Sequence, residues 1–220
     1  MPMAIDLFSR DFVTAVMLAF IVVMIILTVF LDIGSRRRLI KRAENARERL
    51  GAHWGLSQID NRECAVTYLR NYKRLGTFLR CAAGVINALR VEIGFVPLIK
   101  HSNKGITIFG VYAPEPLTAP IGLSRHDAVV NTLCLLFGLP NRAGSKPLFG
   151  NYDASGTNAD IQRVFTTAIQ SRILAFPRFL EQVMIYDQNI VLIWKGIEED
   201  TAIVDQAFQL AASLYELVNQ

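Results

Sequence analysis

Residues 12–31 read FVTAVMLAFIVVMIILTVFL. No side chain in the run is charged, and only Thr14 and Thr28 are polar. At about 1.5 Å of helical rise per residue, a run of this length spans roughly 30 Å, the thickness of a bilayer's hydrocarbon core. Lipid offers the backbone no hydrogen-bond partners, so the run must be a helix. It organises the rest of the chain: a tail over 1–11, a membrane-crossing helix over 12–31, and a large C-terminal part.

A secretory signal peptide is the competing reading, and the residues disfavour it. Such a peptide has a basic start, a shorter apolar core and a small-residue cleavage site. Here the start carries Asp6, Arg10 and Asp11, and the run ends in Leu31-Asp32-Ile33-Gly34-Ser35 before three arginines. The segment reads as an uncleaved signal-anchor of a single-pass membrane protein.

The flanking charges set an orientation. Arg36, Arg37, Arg38, Lys41, Arg42, Arg47 and Arg49 follow the span, whereas Arg10 is the only basic side chain before it. The positive-inside rule then puts the N-terminus outside and the C-terminal domain in the cytoplasm, under the cell's inner (plasma) membrane. From Arg36 to Arg80, twelve Lys/Arg stand against four Asp/Glu, a net +8 in a chain whose total is +4. Anionic headgroups attract such residues by about 1 kcal/mol each. Arg36, Arg37, Arg38, Lys41 and Arg42 are therefore expected to touch the membrane surface, with anionic lipid headgroups as partners. Nucleic acid would use the same charges, but no reader motif accompanies them and no nucleic-acid partner is expected.

Cys64, Cys81 and Cys134 show no CxxC spacing, and His53, His101 and His126 form no HxxxH or HxxE pair. In a reducing compartment the cysteines read as small buried apolar side chains. Neither a metal nor any other cofactor is expected.

Residues 32–56 read as a basic juxtamembrane helix and 57–220 as one α+β domain. Asp60-Asn61 would cap a helix bearing Ala65, Val66, Leu69, Tyr72 and Leu75. The stretch 77–89, TFLRCAAGVINAL, is apolar nearly all round and is expected to be a buried helix, with a strand or a helix lying in the headgroup region as the alternatives. Residues 95–100 and 106–112 flank an Asn/Gly-containing turn and predict a hairpin. Pro114, Pro116 and Pro120 end it in an extended connection. Ser124, with Asp127 three residues on, predicts the cap of a helix over 125–137. A helix starts at Asn158 and runs through Ile161, Phe165, Ile169 and Ile173. Residues 182–186 and 190–195 form a second hairpin around Asp187-Gln188-Asn189. A last helix runs from about Glu198 to Val218, with Glu198, Glu199 and Asp200 favouring the positive end of its dipole. The expected fold is a small antiparallel sheet of two hairpins packed by helices.

Candidate chemistry is sparse. The loop over 139–156, with Pro140, Pro147 and several glycines, has at Ala143-Gly144-Ser145-Lys146 a faint echo of a phosphate cradle. Pro147 follows it and no helix begins there. Ser124, His126 and Asp127 would diverge around a first helical turn instead of lining up as a relay. No catalytic, cofactor-binding or metal-binding residue is therefore assigned. The same loop is expected to meet a partner through Asn141, Arg142, Lys146, Phe149 and Tyr152. In the membrane run, Ala15 and Ala19 form a small-xxx-small pair that permits close helix packing.

These features point to a non-catalytic accessory or assembly subunit of a larger membrane complex, respiratory and photosynthetic assemblies being typical hosts. Its partners would be other integral membrane subunits. The alternatives are a membrane-anchored cytoplasmic enzyme or ligand-binding domain, and an anchor for anionic lipid.

Overall fold

The computed structural model describes residues 10–71, 80–96, 105–113, 115, 120–125 and 146–219. Helix α1, Arg10–Trp54, carries the apolar run. Among the described residues it is the one helix long and apolar enough to cross a membrane. By its contacts the chain forms two units that divide between Arg38 and Leu39. In the first, the large apolar side chains from Val16 to Leu31 are exposed. An apolar helix exposed on all sides is compatible with a single-pass membrane protein. Ala15 and Ala19 lie on its exposed surface, and Arg36 closes an ion pair with Asp32 at 2.8 Å.

The second unit is built on one antiparallel sheet. Its strands are β1 (Ser57–Ile59), β2 (Arg80–Ile86), β3 (Leu89–Val96), β4 (Ile106–Tyr112), β5 (Ile121–Arg125), β6 (Lys146–Phe149), β7 (Tyr152–Ser155), β8 (Leu180–Tyr186) and β9 (Asn189–Lys195). Their spatial order is β1-β2-β3-β4-β9-β8-β5-β7-β6. Helices α2 (Thr67–Asn71), α3 (Asn158–Val164), α4 (Thr167–Ala175) and α5 (Thr201–Val218) pack on it. The fold is α+β, as expected, with a sheet much larger than two hairpins.

The central strands are buried on both faces, and alternation along them shows why. In β4, Phe109 and Val111 join one core, while Ile106 and Ile108 join another. In β9, Ile190, Leu192 and Trp194 go one way, and Val191 and Ile193 the other. The first core also holds Leu39, Ala43, Ala46 and Leu50 of α1, with residues of α3, α4 and α5. The second holds Cys64, Val66, Tyr68 and Leu69. Gly110 makes room for that layer, because a Cβ there would lie 2.7 Å from Val66 Cγ2. A buried carboxylate finishes the seat: Glu92 of β3 accepts from the backbone N–H groups of Ala65 at 2.7 Å and Val66 at 2.9 Å. The end of α1 is pinned by Trp54, whose Nε1 donates to Asp205 Oδ1 at 2.7 Å. The Trp54 ring meets Phe109 and Phe208 edge-on.

Several expectations are corrected. The buried helix over 77–89 is instead β2, a two-residue turn and the start of β3; residues 77–79 lie outside the described residues. Asn87 and Ala88 both take positive φ, 49° and 65°, the twist that joins strands through a two-residue loop. Ser124 opens no helix at Arg125: it sits within β5, opposite Asp153 and Gln182. Arg125 ends that strand, and the rest of the expected helix over 125–137 lies outside the described residues. The second half of the 139–156 loop is the β6–β7 hairpin. The helix from Asn158 is two helices, because Thr166 accepts from Ile169 N–H and starts α4 afresh. The expected hairpin over 95–112 is present as β3 and β4, and β3 begins earlier than the turn signal suggested.

Candidate functional site

The sheet end formed by β5, β7 and β6 carries a cleft of about 190 Å³. Its walls come from five places. Arg125 ends β5, and Gly150 and Asn151 form the β6–β7 turn, with Gly150 at φ 52°. Tyr152 opens β7, and Ile173 and Leu174 lie in the last turn of α4. Phe176, Arg178 and Phe179 form the connection to β8. Pro177 shapes that connection. The residue before a proline is pushed out of the helical region, and Phe176 is extended at φ −60°, ψ 131°. The helix stops there, and Arg178 and Phe179 follow on open chain.

The lining is amphipathic. Phe179 is 75% exposed and Leu174 60% exposed. Beyond helix α1, only Val85 among the described residues joins them as an exposed large apolar side chain. Arg178 Nε donates to Glu198 Oε2 at 3.0 Å, and Glu198 is only 4% exposed. That bond uses one of the five guanidinium N–H groups. Arg125 lies with its guanidinium carbon 4.9 Å from the Phe179 ring centroid, a cation–π contact. Its Nη1 is 4.0 Å from Glu181 Oε1, which Lys195 Nζ approaches to 3.2 Å. Glu181 is the extra residue where the β8–β9 register shifts between Leu180 and Gln182, and its Oε2 is buried without a hydrogen-bond partner. Behind the cleft, Tyr152 donates its hydroxyl to Leu180 O at 2.9 Å. Burial raises the Tyr152 pKa, and the nearby Arg125 charge partly opposes the rise.

Size decides what such a cleft takes. Pockets for drug-sized ligands and cofactors run from about 300 to 1,000 Å³. A volume of about 190 Å³ holds one or two side chains. Exposed aromatic and arginine side chains around a small apolar recess are the composition of a protein-contact hot spot.

Of the residues the sequence nominated for partner contact, Tyr152 lines the cleft and Phe149 packs against Tyr152 with its ring tilted, centroids 5.3 Å apart. Lys146 lies in β6. Asn141 and Arg142 lie outside the described residues. Arg125, Leu174, Arg178 and Phe179 escaped sequence reasoning. They come from three separate elements and form no motif; Phe179, two residues after Pro177, was the nearest thing to a signal. Among the expected lipid-facing residues, Arg36, Arg37, Arg38 and Lys41 are exposed. Arg42, also exposed, donates to Glu199 Oε1 at 2.7 Å.

Other polar clusters are structural. Glu198, Glu199 and Asp200 do three different things, not one. Glu198 holds Arg178, Glu199 holds Arg42, and only Asp200 caps α5, accepting from Ala202 N–H at 3.0 Å. Cys64 and Cys81 are free and buried. Hydrogen bonding to Cys64 and burial push the Cys81 thiol far up, away from the reactive thiolate. Among the described residues no three His, Cys, Asp or Glu gather as a metal site.

No family model matches the chain, and no curated protein matches it in sequence. In structure it is similar to the crystal structure of the mycobacterial trehalose monomycolate transport factor A, TtfA. The TM-score is 0.55, over 80% of this chain and 93% of that one, at 12% identity. At that identity the likeness is one of fold: an α+β domain on a large antiparallel sheet.

Proposed function

We propose that this chain is a non-catalytic, membrane-anchored accessory subunit that docks on a larger membrane protein complex. The observation that carries the reading is the small cleft of Arg125, Leu174, Phe176, Arg178 and Phe179, too small for a cofactor and composed like a protein contact. The apolar helix would hold the domain beside other membrane proteins, raising its effective concentration there. The excess of Lys and Arg after residue 31 supports an N-terminus outside and a cytoplasmic domain under the inner membrane.

Native-size analysis after gentle detergent extraction tests the reading. The chain should migrate within an assembly much larger than its own 24.6 kDa plus micelle. Migration as a free monomer under the mildest extraction would overturn it. Orientation is tested by a C-terminal reporter active only in the cytoplasm, and changing Arg36, Arg37 and Arg38 to Glu should scramble it.

A further inference from the structure

We infer that the cleft beside the β6–β7 turn recognises an acidic protein segment that carries a large apolar side chain next to its carboxylate. The inference rests on the accessory-subunit reading and names the chemistry of the partner. Three features lead to it. First, Leu174 and Phe179 are exposed at the mouth, over a floor that includes Ile173 and Phe176. An apolar side chain entering there removes both surfaces from water, about 25 cal/mol for each Å² covered. Second, both charged side chains in the lining are arginines. Arg178 is oriented by Glu198 at 3.0 Å, and Arg125 lies 4.0 Å from Glu181. Glu198 grips Arg178 by Nε alone. The Nη edge of the fork, the edge that pairs two-pronged with a carboxylate, is left for an occupant. Third, a volume of about 190 Å³ suits one anchoring side chain better than a separate ligand. Charge complementarity thus selects an acid beside the anchor. A basic segment would bring a second cation to the Nη edge of Arg178, which offers only donors, and lose its hydration for no return.

The test uses the full chain in detergent micelles and fluorescent peptides of one length. One peptide has an Asp/Glu pair flanking Phe and Leu, one replaces the acids by Lys, and one replaces Phe and Leu by Ser. The acidic-apolar peptide should bind at least tenfold more tightly than either control. Phe179→Ser, which changes an exposed side chain, should weaken it about tenfold. Arg178→Gln together with Glu198→Gln removes the charge pair as a unit and should abolish the preference for acid over Lys. No binding up to about millimolar peptide, or equal binding of all three, overturns the inference. Complete displacement by vesicles containing phosphatidylglycerol, with no preference among the peptides, also overturns it and assigns the cleft to lipid. A large native assembly that survives Phe179→Ser while the peptides fail to bind would place the dock elsewhere and leave the accessory role standing.

Discussion

The hairpins β8–β9 and β6–β7 belong to one sheet and are built on opposite logic. β8 and β9 lie in its middle, paired to β5 on one side and β4 on the other. All but the last residue of each strand is buried. β6 and β7 lie at its end, with Pro147 in the outermost strand and a register shift beside it. Proline has no N–H to offer a further strand, so it belongs on an edge. The middle hairpin is specified by its own residues; the edge hairpin exists because β5 is there to receive it. The cleft sits at the edge, where the sheet stops needing every side chain for its core.

That contrast can be broken from the middle outward. Trp194 is wholly buried in β9, edge-on to Phe176 at 5.6 Å. Trp194→Ala should cost about 4 kcal/mol in a denaturant titration; a loss below about 1 kcal/mol would mean the middle is not the load-carrying half. Arg178→Ala should cost about 2 kcal/mol, because it strands Glu198 without its partner. The double change of Arg178 and Glu198 to Gln should recover most of that loss, and equal losses in single and double variants would contradict the pairing. Tyr152→Phe deletes the bond to Leu180 O and should cost about 1 kcal/mol. It also has a pH signature. Burial holds the folded Tyr152 pKa above the ordinary value near 10. Its contribution is therefore complete below about pH 10 and is lost as pH rises through the higher folded value. The phenylalanine variant should show a shallower alkaline loss of stability. Phe179→Ser should change stability by less than about 0.5 kcal/mol while shrinking the native assembly; the reverse pattern would make Phe179 a core residue and remove the cleft from binding.

The same contrast explains what could be read in advance. β4 and β9 announce themselves because runs such as ITIF and IVLIW are dense in β-branched and aromatic residues. The last helix was legible from its apolar period, and its exact start was not, since three acids in a row hide which one is the cap. The stretch over 77–89 misled because Cys81, Ala82 and Ala83 are buried in succession in β2, on both of its faces, which erases alternation there. Its turn was hidden too: Asn87 is followed by Ala88, not the glycine that marks such loops. Ser124 looked like a cap because its neighbours fit the pattern, and pairing with β7 and β8 overrode that local preference. The cleft was half legible. Phe149 and Tyr152 were singled out from their loop, but Arg125 and Arg178 meet there only through the sheet's order.

That order also sets a timetable. β4 must wait for β9, its neighbour in space, which leaves the ribosome about 80 residues later, roughly 4–16 s at 5–20 residues per second. Until then Ile106, Ile108, Phe109 and Val111 stand along an open strand edge, the kind of surface that pairs with the wrong chain. The apolar helix is made before any strand of the sheet. If that helix enters a bilayer as it emerges, the newborn domain spends its most aggregation-prone seconds held at a surface, with its open strand edge still to be covered.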